Sequence, residues 1–135
     1  MRRLAAERDE LRIVDDQVGV PNWARSLALA TAMLVGRGIP YLVERAGLYH
    51  MSSSGATTWY EFARAILGEA AKPRIVPIST AEYPTPAQRP AFGVLDTGKF
   101  ERVFGFALPH WRAALQSCVT SPSKPPVSSR VGSVQ

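Results

Sequence analysis

Trp59, Phe62, Ala63, Ile66, Leu67 and Ala70 fall at i, i+3, i+4, i+7, i+8 and i+11, the spacing that gathers apolar side chains on one stripe of an α-helix. Thr58 and Glu61 stand just ahead at capping-box spacing, and Glu61, Arg64 and Glu69 mark the opposite, solvated side. A stripe this wide cannot face water. The remaining chain must supply a sheet or another helix to cover it, which excludes an all-loop or fibrous architecture.

The covering elements can be read in order. Residues 2–10 predict a short helix with no N-terminal cap, as though it continued something longer. Residues 11–14 alternate toward a strand, and residues 15–21 break into a loop punctuated by Gly19 and Pro21. Asn22 is placed to cap a helix from about Trp23. Leu27, Ala28, Thr31, Leu34 and Val35 repeat on one side and Leu29 and Met33 on the other, so burial on two sides is expected. Gly36, Gly38 and Pro40 predict its stop. Leu48, Tyr49, His50 and Met51 read as a short buried strand, residues 52–55 as a turn, and residues 74–79 as another strand. The loop over residues 82–90 is stiffened by Pro84, Pro86 and Pro90. Asp96 or Thr97 can cap a helix carrying Phe100, Val103 and Phe104 and ending at Gly105, and Pro109 suits the first position of a last helix striped by Trp111, Ala114, Leu115, Cys118 and Val119. The fold class is α/β: one small mixed unit over residues 1–120, then a Ser/Pro-rich tail, residues 121–135, expected to be disordered.

Charge and composition exclude several function classes. The formal charge is +5, from 16 Lys+Arg against 11 Asp+Glu, but the basic residues are scattered, with two in the tail, and form no stripe for nucleic acid. The longest run without a charged side chain, residues 46–60, holds His50, three serines and two glycines, so no membrane span is expected. Met1 to Ala6 opens like an export signal, yet Glu7, Asp9 and Glu10 end the apolar stretch. One cysteine, Cys118, allows no internal disulfide and no cysteine zinc site. The cytosol is the expected compartment.

Most familiar chemistries are missing. His50 and His110 lack HxxxH or HExxH spacing; the first reads as a core or hydrogen-bonded histidine and the second as solvated. Asp15 and Asp16 point to opposite sides and suit loop ordering better than a shared metal. Gly36-Arg37-Gly38 runs into Pro40 rather than a GxGxxG turn, so no dinucleotide fingerprint is present. The residues four beyond Tyr41, Tyr49, Tyr60 and Tyr83 are Arg45, Ser53, Arg64 and Ala87; none is the lysine that lowers a catalytic phenol's pKa in short-chain dehydrogenases. No GxSxG occurs, and Cys118 lies on a predicted apolar face. Anion recognition remains. The loop from Gln17 through Pro21 and Asn22 to Trp23 brings free backbone N–H groups to a helix start. Arg89 either grips a phosphate in a fork or bonds loop carbonyls.

Several blocks, in order and spacing, carry a resemblance. They are Arg3 to Arg8 running into residues 11–19 and Pro21; Gly47, Leu48, Tyr49 and His50; Thr57 to Ala63 (TTWYEFA); Tyr83 to Ala87 (YPTPA) with Arg89-Pro90; Leu95-Asp96; and Leu108-Pro109 before Trp111. Over residues 2–119 the chain resembles the C-terminal part of the dTDP-4-dehydrorhamnose reductase family, extended short-chain dehydrogenases with an N-terminal Rossmann domain and a smaller substrate lobe. The resemblance implies that this is the substrate lobe alone, binding a dTDP-sugar. NADPH and the Tyr-Lys pair would belong to the Rossmann domain, the lobe's expected partner, so the chain by itself should be inactive. It implies that Arg89 holds the diphosphate and that Gln17, Pro21, Asn22 and Trp23 border the sugar. Asn22 stands where the family usually has Thr, and Gly93 where it has Ser. Some members carry acids for a metal-linked dimer, but the helix after Pro21 offers Arg25 and no acid, so no metal is expected. A non-catalytic reductase-like binding or regulatory module and a truncated remnant are the alternative readings.

Overall fold

A computed structural model describes residues 1–68 and 72–121. In chain order the elements are α1 (Arg2–Glu7), β1 (Glu10–Val14), β2 (Val18–Gly19), α2 (Ala24–Val35), α3 (Ile39–Glu44), β3 (Thr57–Thr58), α4 (Trp59–Leu67), β4 (Arg74–Ile78), a 3-10 turn (Thr80–Glu82), α5 (Gly98–Phe104) and α6 (Trp111–Thr120). The mixed α/β class is the one expected. Ala70 and the expected disordered tail, apart from Ser121, lie outside the described residues.

The striped helix finds its cover on a two-stranded parallel sheet. β1 pairs with β4 in the register Leu11 to Ile75 and Ile13 to Pro77, and Leu11, Ile13 and Ala63 form a buried cluster flanked by Tyr60, Leu67 and Ile75. Thr58 caps α4, its Oγ1 accepting the Glu61 amide at 3.1 Å. A second cluster joins Ala30 of α2 to Phe100, Phe104 and Leu108, with Tyr41, Tyr49 and Met51 packed against it. Trp111 of α6 is buried outside both clusters and meets Phe62 of α4 edge-on at 5.9 Å. Helix α5 starts where Asp96 accepts the Gly98 amide at 2.8 Å and ends at Gly105, whose left-handed φ of 77° suits a residue without Cβ.

Several expectations need correction. The first helix is shorter, ending at Glu7. Pro40 does not merely end α2. It occupies the opening turn of α3, where its missing N–H costs no hydrogen bond. Leu48, Tyr49, His50 and Met51 form no strand: Leu48 and His50 are exposed, and only Tyr49 and Met51 turn toward the core. Asn22 does not cap α2; Trp23 holds the cap position without a side-chain bond. Pro109 precedes α6, which His110 caps by accepting the Arg112 amide at Nδ1. Cys118 and Val119 are exposed, because α6 buries only Trp111 and Ala114.

Helix α2 buries one side, not two. Leu27, Ala30 and Leu34 face the core, whereas Leu29, Met33 and Val35 are exposed, as are Ile39 and Val43 of α3. Helix α1 likewise buries no residue fully, although Leu4 and Ala5 touch the first cluster. Soluble monomers rarely leave so many large apolar side chains together in water. The isolated chain is therefore expected to self-associate and to bind an apolar dye, and paired Leu29→Ser and Met33→Ser changes should reduce both. Sedimentation and dye titration check this; a dye-silent monomer would contradict it.

Candidate functional site

A cleft of ≈ 190 Å³ opens between the β2 segment, the start of α4 and the loop after the 3-10 turn. Its position follows from two sets of backbone bonds. β2 and β3 pair antiparallel, Val18 with Thr58 and Gly19 with Thr57, which sets the loop residues Gln17 to Pro21 beside the first turn of α4. On its other side Val18 donates its amide to Ala91 O and accepts from the Gly93 amide, both at 2.8 Å. This docks the far end of the proline-rich loop and carries Arg89 and Pro90 to the rim.

The near end of that loop is pinned by the acidic pair, in the ordering role expected for it. Asp16 accepts the Thr80 amide at 2.9 Å and its hydroxyl at 2.6 Å, and these bonds, the hydroxyl first, hold the Asp16 carboxyl below its ordinary pKa. Glu82 is lowered for a parallel reason, accepting the Ser79 amide and hydroxyl, with Arg12 at 2.8 Å adding a smaller contribution. Asp15 accepts from the Thr58 hydroxyl. Gln17 donates to Thr80 Oγ1 at 3.0 Å. The cleft is thus framed by side chains bonded among themselves.

Of the five residues expected at a binding site, Gln17, Pro21 and Arg89 line this cleft, and Asn22 and Trp23 do not. Arg89 is exposed and has no hydrogen bond or ion pair among the described residues, so the alternative of bonds to loop carbonyls has no support here. Asn22 instead ties two segments together: Oδ1 accepts the Ser53 amide at 2.7 Å, and Nδ2 donates to Ser52 Oγ and Val20 O, each at 3.2 Å. Trp23 lies beside Arg25, whose guanidinium stands 5.8 Å from the ring centre. Gly93 lines the cleft, and a Cβ there would meet only Val18 O, at 3.8 Å. Thr57, Trp59 and Phe62 line it too. Sequence reasoning assigned Thr58 and Trp59 to a cap and a stripe, although the TTWYEFA block had already marked them.

Among the described residues no group of three His, Cys, Asp or Glu side chains could hold a metal ion, and no helix is long and apolar enough to cross a membrane. The glycine pair lacks the surroundings of a dinucleotide turn. Gly36 and Gly38 sit between helices α2 and α3, with no strand ahead of them, whereas a pyrophosphate turn needs a strand feeding a helix N-terminus.

The geometry agrees with relatedness. The family model for the RmlD substrate binding domain matches residues 1–123. The chain belongs to this family. It is 46% identical over 131 residues to a dTDP-4-dehydrorhamnose reductase of Burkholderia thailandensis, covering 88% of this chain and 44% of the relative. To the Escherichia coli K12 enzyme of the same name it is 40% identical over 123 residues, or 86% and 41% of the two chains. Two solved dTDP-4-dehydrorhamnose reductases share the fold. The one from Clostridium acetobutylicum superposes with a TM-score of 0.76 at 28% identity, covering 87% of this chain and 40% of that one. The one from Bacillus anthracis, crystallised with NADP, gives 0.73 at 31% identity, covering 85% and 39%. This member of the RmlD substrate-binding family therefore spans about two fifths of the length of the relatives it matches.

Proposed function

We propose that residues 1–120 form the sugar-nucleotide side of a dTDP-4-dehydrorhamnose reductase, holding dTDP-4-dehydro-L-rhamnose for reduction in the cytosol. NADPH and the proton-donating Tyr-Lys pair would belong to a Rossmann portion outside these 135 residues. The observation that carries the reading is the cleft itself. It unites the Gln17 to Pro21 loop with Arg89 in a chain that matches the substrate-binding domain model. Its size supports the same reading: complete small-molecule pockets occupy roughly 300–1,000 Å³, so ≈ 190 Å³ suits one wall of a site closed by a second portion.

Arg89 is the group with the chemistry to take a diphosphate, since a guanidinium presents two parallel N–H donors to phosphate oxygens. Replacing it with alanine should weaken dTDP binding by about 1.5–3 kcal/mol, the range for a hydrogen bond to a charged group. Calorimetric titration of the chain and of Arg89→Ala with dTDP measures this. An unchanged dissociation constant in a folded variant would remove Arg89 from the site.

A further inference from the structure

The two strands of the parallel sheet leave it side by side. Asp15, just past β1, still donates its amide to Ile78 O at the end of β4, at 2.9 Å. Asp16 and Gln17 therefore arrive opposite Thr80, although 64 and 63 positions separate them from it. Thr80 is itself held in place. It opens the 3-10 turn that Ser79 and Glu82 close as a capping box, and Glu82 is tied back to Arg12 of β1 at 2.8 Å. Asp16, Thr80 and Gln17 then form a chain of hydrogen bonds that can run in one direction. An ionised carboxylate accepts and never donates. The Thr80 hydroxyl has a single proton, and that proton goes to Asp16 at 2.6 Å. Toward Gln17, Thr80 Oγ1 can only accept, so the 3.0 Å bond must come from Gln17 Nε2. With its amide nitrogen spent on Thr80, Gln17 lines the cleft with a spare carbonyl. This Oε1 accepts no hydrogen bond among the described residues and is not sealed from solvent.

We propose that Asp16 and Thr80 are positioning residues that fix Gln17 as an acceptor, so that its carbonyl takes a hydroxyl of the bound sugar. This rests on the reading of the cleft as a sugar-nucleotide site, and deepens it. The Thr57 and Thr58 hydroxyls already give their protons to Glu61 and Asp15, which leaves Gln17 as a side chain with an uncommitted group to offer. Turned the other way, its amide would present N–H donors and suit a ketone oxygen. Held as it is, the carbonyl repels one. The ketone to be reduced must then lie away from Gln17, with a hydroxyl of the same ring against it.

The test titrates the full chain with dTDP and with dTDP-L-rhamnose, whose hexose carries hydroxyls and no ketone; the ratio of the two dissociation constants isolates the sugar. Circular dichroism confirms folding. The ratio should favour dTDP-L-rhamnose in the wild type and shrink by about 2- to 10-fold in Gln17→Ala, the worth of one neutral hydrogen bond. Thr80→Val keeps the shape and removes the hydroxyl. Asp16→Asn supplies an amide that can donate to Thr80 and turn the chain around. Both should shrink the ratio likewise while binding dTDP as the wild type does, and Thr80→Ser, which keeps the hydroxyl, should preserve it. Should Thr80→Val not fold, Asp16→Asn and Thr80→Ser carry the same comparison. A ratio unmoved by Asp16→Asn, or lost in Thr80→Ser, overturns the positioning role. Losses shared equally by dTDP and dTDP-L-rhamnose would make Thr80 a staple of the loop alone and overturn it as well. A wild type that binds dTDP as tightly as dTDP-L-rhamnose overturns the acceptor site and leaves the nucleotide reading standing; one that binds neither overturns both.

Discussion

Supplied with NADPH and a dTDP-4-dehydro sugar, the purified 135-residue chain is expected to show no turnover above the buffer rate. Enzymes of any kind accelerate their reactions by roughly a million-fold or more, so the whole of that factor is at stake. The expectation follows from where the phenols lie. Tyr49 donates its hydroxyl to Arg45 O at 2.8 Å, Tyr41 packs against the Phe104 cluster, and Tyr60 lies against the Leu11 and Ile13 cluster. None has a lysine four residues on to stabilise a phenolate. The glycine pair that would have to cradle a pyrophosphate lies between two helices. Loss of NADPH absorbance that copurified with the chain through successive columns would overturn the division of labour proposed above.

The second large effect concerns stability. Trp111→Ala should cost about 3–5 kcal/mol, the usual range for deleting a buried aromatic ring, against a total of roughly 5–15 kcal/mol for a domain. Trp111 is 2% exposed. It touches Phe62 edge-on, stacks on His110 at 5.8 Å and donates its amide to Ser54 O at 3.1 Å. Its ring thus links α6 to the stripe of α4, while its backbone N–H ties α6 to the segment that leads into β3. A thermal melt should fall by roughly 10–20 °C; a shift of only a degree or two would mean that α6 and α4 are held together by something else.

The elements that could be read from sequence are those whose causes are local. Thr58 with its following stripe, Asp96 ahead of Phe100 and Phe104, and Gly105 at a left-handed turn each act within a few residues. The structure uses them as the pattern implies. Long-range partners were not legible. Asn22 has the right side chain in the right place for a cap, but its amide is taken by Ser52 and Ser53, about thirty residues away. Pro40 reads as a stop because proline ends helices, and nothing nearby says that the next helix begins upon it. Leu48 to Met51 has the composition of a strand but no neighbouring strand to pair with, so its backbone stays irregular. Gln17 and Pro21 were marked by their loop ahead of a helix start and by the family resemblance, and Arg89 by a guanidinium in a proline-stiffened loop; all three line one cleft. Trp59 was hidden by an adequate alternative, a place on an apolar stripe.

The pairing of β1 with β4 also bears on the order in which the chain can assemble. Glu10 meets Arg74 across 64 intervening steps of sequence, and closing a loop of that length costs roughly 4 kcal/mol of chain entropy before any contact rewards it. Helices α2 and α4 can flicker into existence in well under a millisecond, and Ala63 can rest on Leu11 and Ile13 of β1, but Ile75 completes that floor only once β4 has been made. During synthesis the first eighty or so residues must therefore be available before the sheet can close, and Arg89 is made only after every residue of the cleft's opposite wall, Gln17 to Pro21 and Thr57 to Phe62.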